Sequence, residues 1–116
     1  MYRLSFICVL FFLNSCGQQA EPKPLEFTVL KQEELIPIIV DLQILEGHYQ
    51  RKFSRIDIYR DALDSASQSI FQKHQISQEE FEKNLDYYGN YPDSLFRIYE
   101  SALDTINLRL NVINAE

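Results

Sequence analysis

The chain has 116 residues, enough for one small domain and too few for a catalytic domain beside a binding domain. Its 17 acidic and 11 basic side chains leave a net charge of −6 with no basic block, which argues against a nucleic-acid partner. Three glycines and four prolines are too few for a turn-rich β-sandwich or for low-complexity disorder.

The first predicted element is a leader. Met1-Tyr2-Arg3 is a short basic start, and Leu4 to Leu13 is an unbroken run dominated by apolar residues. As a helix that run rises only about 15 Å, half of a hydrocarbon core roughly 30 Å thick, so it has the length of a signal-peptide core and not of a membrane span. It ends in Leu13-Asn14-Ser15-Cys16, which resembles the bacterial lipobox, Leu-x-(Ala/Ser/Gly)-Cys. The resemblance implies a signal peptide over residues 1–15, with Leu13 and Ser15 fitting the peptidase. It also implies a mature chain that begins at Cys16, whose thiol and new amine carry acyl chains such as palmitate. Each buried CH₂ is worth about 0.8 kcal/mol, so two or three chains hold a protein stably at a membrane. The only other cysteine, Cys8, leaves with the leader, which excludes a disulfide, a thiolate metal site and cysteine catalysis. Losing Arg3 as well makes the mature chain one unit more acidic.

Residues 16–29 read as the lipidated Cys and a flexible tether, with Pro22 and Pro24 favouring extended backbone. Gly17 stands where an Asp retains lipoproteins in the inner membrane of enteric bacteria. The expected location is therefore the outer membrane, on its periplasmic face. Gln18-Gln19-Ala20-Glu21 resembles the acidic export tags of surface lipoproteins only loosely, and the cell surface is the alternative.

Residues 30–116 carry helical periodicity throughout and strand alternation almost nowhere. The expected fold class is all-α, a small bundle of about four amphipathic helices arranged antiparallel. The first helix, about Gln32 to Gln50, places Leu35, Ile38, Ile39, Leu42, Leu45 and Tyr49 on one stripe. Pro37 predicts a distortion in its first two turns. Arg51 to Arg55 reads as a loop. The second helix runs from about Ile56 to His74 on Tyr59, Ala62, Leu63, Ala66, Ile70 and Phe71. Ser77-Gln-Glu-Glu80 is a capping box worth about 1 kcal/mol, flanked by Ile76 and Phe81 as a hydrophobic staple. It opens a third helix with Phe81, Leu85 and Tyr88, which is expected to stop at a left-handed Gly89. Pro92 suits the first turn of a last helix that reaches about Ile113 through Leu95, Ile98, Tyr99, Ala102, Ile106, Leu110 and Ile113.

Several of these segments together resemble a known family. Asp41-Leu42, Glu46, Ile70-Phe71-Gln-Lys73-His74, Ile76 to Phe81, Tyr87-Tyr88, Pro92 and Ile98-Tyr99 are similar to small Bacteroidota-type lipoproteins, the family called domain of unknown function 4296. The resemblance implies a lipoprotein with a helical fold and implies no activity. One departure is Gln75, where a Gly often follows the histidine; a non-glycine residue there must accept positive φ or end the helix another way.

The chemistry-bearing residues are sparse. Asp57, Asp61 and Asp64 share a helical face, but one face offers a cation too few convergent oxygens and Arg60 interrupts it, so a solvated acidic face is expected. Asp41 and His48 share a face and could form an acid–base pair, yet no nucleophile stands near them. His48 is expected to meet a helix C-terminus. Asp41 is expected to be a half-buried carboxylate bonded to a neighbouring helix end or a tyrosine. Tyr88 and Tyr99 are expected to pack in the bundle. Tyr87 and Tyr91, on a turn, either pack or present a partner surface, for which Asp41 and Glu46 are further candidates. Arg51, Lys52 and Arg55 could touch anionic headgroups or lipopolysaccharide phosphates, but three charges in a loop are expected to be solvated.

No phosphate loop, HExxH, GxSxG or zinc spacing is present. No cofactor, metal, nucleic acid or small-molecule substrate is expected, and the partners expected are the membrane and another envelope protein. The functional reading is a non-enzymatic binding or accessory lipoprotein. The alternatives are a holdase-like periplasmic chaperone and a glycan-handling enzyme, which would need two convergent carboxylates such as Asp41 and Glu46.

Overall fold

The computed structural model describes residues 25–115. Among the described residues every regular element is a helix: α1 (Gln32–Lys52), α2 (Ile56–Lys73), α3 (Gln78–Gly89) and α4 (Pro92–Asn114). The chain therefore folds as the small all-α bundle that its hydrophobic spacing predicts. The leader with Leu13 and Ser15, the lipidation candidate Cys16 and the tether up to residue 24 lie outside the described residues.

Helix α1 starts after Lys31, whose backbone N–H donates to the Glu34 carboxylate at 2.8 Å. Two acids in the first turn and two bases in the last complement the helix dipole. Pro37, where a distortion is expected, does not interrupt the helix, which runs through it without a break. Proline this early removes one donor only, and the carbonyl it would have served belongs to the exposed Glu33. The loop to α2 is Phe53 to Arg55, and α2 folds back along α1. Near the loop the rings of Tyr49 and Tyr59 lie 6.2 Å apart, with Phe53 stacked on Tyr49 at 6.0 Å. At the far end Asp41 meets Lys73 and His74.

Between α2 and α3 the chain turns through a Schellman motif. The Ile76 N–H reaches the Phe71 carbonyl and the Gln75 N–H reaches the Gln72 carbonyl, both at 3.1 Å. Gln75 holds φ at +54°, so of the two outcomes expected for a non-glycine residue there it takes up the left-handed conformation. Ser77 then caps α3 as its sequence predicts: its hydroxyl accepts from the Glu80 N–H, and the Glu80 carboxylate accepts from the Ser77 N–H, each at 3.1 Å. The staple residues Ile76 and Phe81 both join the core.

The left-handed Gly89 does not occur. Gly89 is the last residue of α3, and Asn90 follows with φ −82°. Its side-chain amide donates to the Asp86 carbonyl at 3.0 Å. Pro92 starts α4 so soon that the chain makes a tight right-handed turn, closed by the Tyr91 N–H on the Tyr88 carbonyl at 2.9 Å.

One contiguous core joins all four helices. α1 supplies Leu35, Ile38, Ile39 and Val40; Phe71 and Phe81 pack at 5.5 Å between ring centres; Tyr88, Ile98 and Ala102 complete it. Each of the fully buried aliphatic side chains is worth about 1.5–3 kcal/mol over exposure. The predicted stripe of α4 is only partly used, because Ile98 and Ala102 are buried while Tyr99, Leu110 and Ile113 are exposed.

Candidate functional site

The densest polar constellation forms around Asp41, on the third turn of α1. Its side chain is 12 % exposed. Oδ2 accepts from Lys73 Nζ and from His74 Nε2, each at 2.8 Å, and Oδ1 accepts from Arg109 Nη1 at 3.1 Å. Burial would raise the carboxyl's pKa, but the hydrogen bonds from Lys73, His74 and Arg109 outweigh it and bring it down to about 2. An ionised carboxylate only accepts, so the His74 proton sits on Nε2. The expectation of a half-buried acid bonded to a neighbouring helix end is met by the last turn of α2, and no tyrosine takes part.

His74 faces another cavity, whereas Lys73 and Arg109 border a shallow one of about 460 Å³ between the end of α2, the second half of α1 and the distal part of α4. His48 and Arg51 of α1 line it with Asp41. His48 does not meet a helix C-terminus. It lies a full turn inside α1, exposed, with its ring edge-on to Tyr49 at 5.9 Å. The three basic loop candidates separate: Arg51 and Lys52 extend α1, Lys52 lies over the Phe53 ring at 5.6 Å, and Arg55 pairs with Asp57.

Glu46 is elsewhere. It accepts from Gln50 Nε2 at 3.2 Å and lines a different cavity, beside Phe81 and Leu85 of α3. Five residues separate it from Asp41, about 140° around the helix, so the two carboxylates do not converge on one site. Asp61 and Asp64 are exposed, and Asp57 is taken by Arg55. Among the described residues no three His, Cys, Asp or Glu side chains gather as a metal would need.

The tyrosines of the α3–α4 turn do come together. Tyr87 packs against Tyr91 at 5.1 Å and edge-on to Tyr88 at 5.2 Å; Tyr91 is exposed, and Tyr87 is half-buried against the core. Tyr88 is buried as expected, and its hydroxyl donates to the Leu30 carbonyl at 2.6 Å. Burial, then the charges of Glu34 and Glu33, pushes that hydroxyl's pKa up and keeps it a donor. Tyr99, expected to pack, is 45 % exposed. Its neighbour Ile98 takes the core position, and one step along a helix turns a side chain through about 100°.

Sequence reasoning missed Asn84, which is fully buried on α3. Its Oδ1 accepts from the Leu30 N–H at 2.7 Å, and its Nδ2 donates to the carbonyls of Thr28 and Glu80 at 3.2 and 2.8 Å. Together with Tyr88 it clamps residues 28–30 along α3, and Val29 and Leu30 pack on the core. Thr28 and Val29, assigned to the tether by sequence, thus contact the bundle. The signal was a polar residue at a core position of the stripe, three residues after Phe81 and four before Tyr88. Arg109, seven residues after the buried Ala102, carries the same signal.

No curated protein and no solved structure matches the chain. A family model described as Domain of unknown function (DUF4296) matches residues 28–111, from the Asn84-clamped segment to the distal turns of α4. That span holds the whole Asp41 constellation and most of the chain, which belongs to this family.

Proposed function

We propose that the protein is a membrane-anchored bacterial lipoprotein that acts as a non-enzymatic binding or accessory protein of the cell envelope, using α4 as its docking face for another envelope protein. One observation carries the binding reading. Phe96, Tyr99, Leu103, Leu110 and Ile113 recur at helical steps along α4 and are 67, 45, 58, 47 and 68 % exposed. At about 100° per residue they occupy a sector roughly 100° wide, beside the face that delivers Ile98 and Ala102 to the core. Long apolar rows of this kind mark interaction surfaces. Tyr91 extends the apolar surface at the start of α4.

The anchoring half of the proposal rests on Leu13-Asn14-Ser15-Cys16, with Cys16 as the acylated residue at the outer membrane, facing the periplasm. Tethering raises the effective concentration of the bundle near membrane partners, so a modest patch suffices. A row along one convex helix suits a defined partner better than the holdase alternative, which needs a groove wide enough to enclose an unfolded client. The glycan-handling alternative loses its best acid pair to the divergence of Asp41 and Glu46.

Photo-crosslinkers placed at Leu103, Leu110 or Tyr91 in living cells test the docking face. The expected result is one shared adduct from Leu103 and Leu110, none from Ser101 on the other side of α4, and loss of the Leu110 adduct on Leu103→Asp. Equal capture from Ser101 would overturn the docking face, and a smear of many adducts would favour the chaperone.

A further inference from the structure

The cavity beside Asp41 has a charge opposite to that of the molecule. The chain carries a net −6, yet three permanent cations from three helices converge here: Arg51 from the last turn of α1, Lys73 from the end of α2 and Arg109 from α4. Asp41 is the only carboxylate among the lining residues. It does not cancel them, since three positive charges against one negative leave a surplus. Its two oxygens hold Lys73 and Arg109 side by side, against their mutual repulsion. Each of these spends one donor on Asp41 and keeps the others, and Arg51 has no carboxylate partner among the described residues. Two guanidinium groups and an ammonium around one opening match a phosphate better than a carboxylate, because planar forks and a point charge together cover three or four acceptor oxygens.

The remaining wall is apolar. Ile44, Leu45 and Ile70 line the same cavity, and Ile44 is 41 % exposed. We propose that this groove binds a phosphate group, held by Arg51, Lys73 and Arg109, with Ile44 and Ile70 receiving whatever aliphatic chain the phosphate carries. The site is separate from the exposed row of α4 and does not depend on the docking reading. The phosphate comes either from a lipid headgroup or from free solution.

The test titrates the purified full-length chain with inorganic phosphate, then with dihexanoylphosphatidic acid below its micelle concentration, following the arginine Nε–H resonances. Saturable shifts at Arg51 and Arg109 are expected with both probes. Arg51→Gln, at an exposed residue that is not bonded to Asp41, should weaken binding about tenfold, while Arg97→Gln, outside the groove, should change nothing. Binding of the short-chain lipid that is tighter by about tenfold or more identifies a lipid phosphate on the apolar wall, and equal affinity identifies free phosphate. Failure of both probes to saturate, or an equal loss in the two arginine variants, would overturn the proposal.

Discussion

Asn84 does with one side chain what a neighbouring strand does with its backbone, because its amide meets an N–H and a C=O two residues apart on the same segment. Removing it leaves the Leu30 N–H and the Thr28 carbonyl without a partner, at a cost of about 1–3 kcal/mol. Hydrogen exchange checks this. Asn84→Ala should abolish protection of the Leu30 amide, and Asn84→Asp, which keeps the acceptor, should retain part of it; full protection in the alanine variant would contradict the clamp. Asp41 is the second decisive residue. Its carboxyl pKa is lowered to about 2 in the fold, so it contributes stability that is fully present above its unfolded value near 4. That contribution, about 2 kcal/mol, is lost as pH falls toward 2. Denaturant midpoints between pH 6 and pH 2 should drop steeply in the native chain and less in Asp41→Asn, which starts lower at pH 6. That Asp41 would be half-buried was legible from its place among Ile38 to Leu45. Its partners were not, since they lie 32, 33 and 68 residues away and periodicity carries no information about pairings at that range.

At the scale of the element, local chemistry explains what sequence made plain. Ser77 and Glu80 are three residues apart, so their reciprocal cap needs nothing from the rest of the molecule. The same holds for Gln75, where a Schellman turn imposes positive φ. Gln75→Gly should therefore stabilise the protein by about 1 kcal/mol, read as a rise of about 4–8 °C in Tm. An unchanged or lower Tm would mean that the exposed Gln75 side chain supplies something the glycine lacks. Gly89 and Pro37 fail as signals for the opposite reason. Gly89 permits a left-handed turn without requiring one, and the closely following Pro92 selects a right-handed link. Pro37 removes a hydrogen bond, but α1 buries Leu35, Ile38, Ile39 and Val40 around it, and that packing outweighs one lost donor. In α4 the apolar pattern continues past the residues the bundle covers. Sequence shows that Tyr99, Leu110 and Ile113 are apolar and periodic, and only the packing shows that no other part of the described chain buries them.

For the whole molecule, the bundle offers two separate surfaces, the apolar row of α4 and the cationic groove beside Asp41. Both are proposed as recognition surfaces, and a lipid anchor would determine which partners they meet. That anchor is the central claim, and mass spectrometry of the protein purified from its native membranes tests it most directly. The expected product is a chain beginning at Cys16 with diacylglyceryl and N-acyl mass on that residue, and Cys16→Ser should lose both the mass and the membrane association. A native chain that retains residues 1–15, or that carries no acyl mass at Cys16, would contradict it.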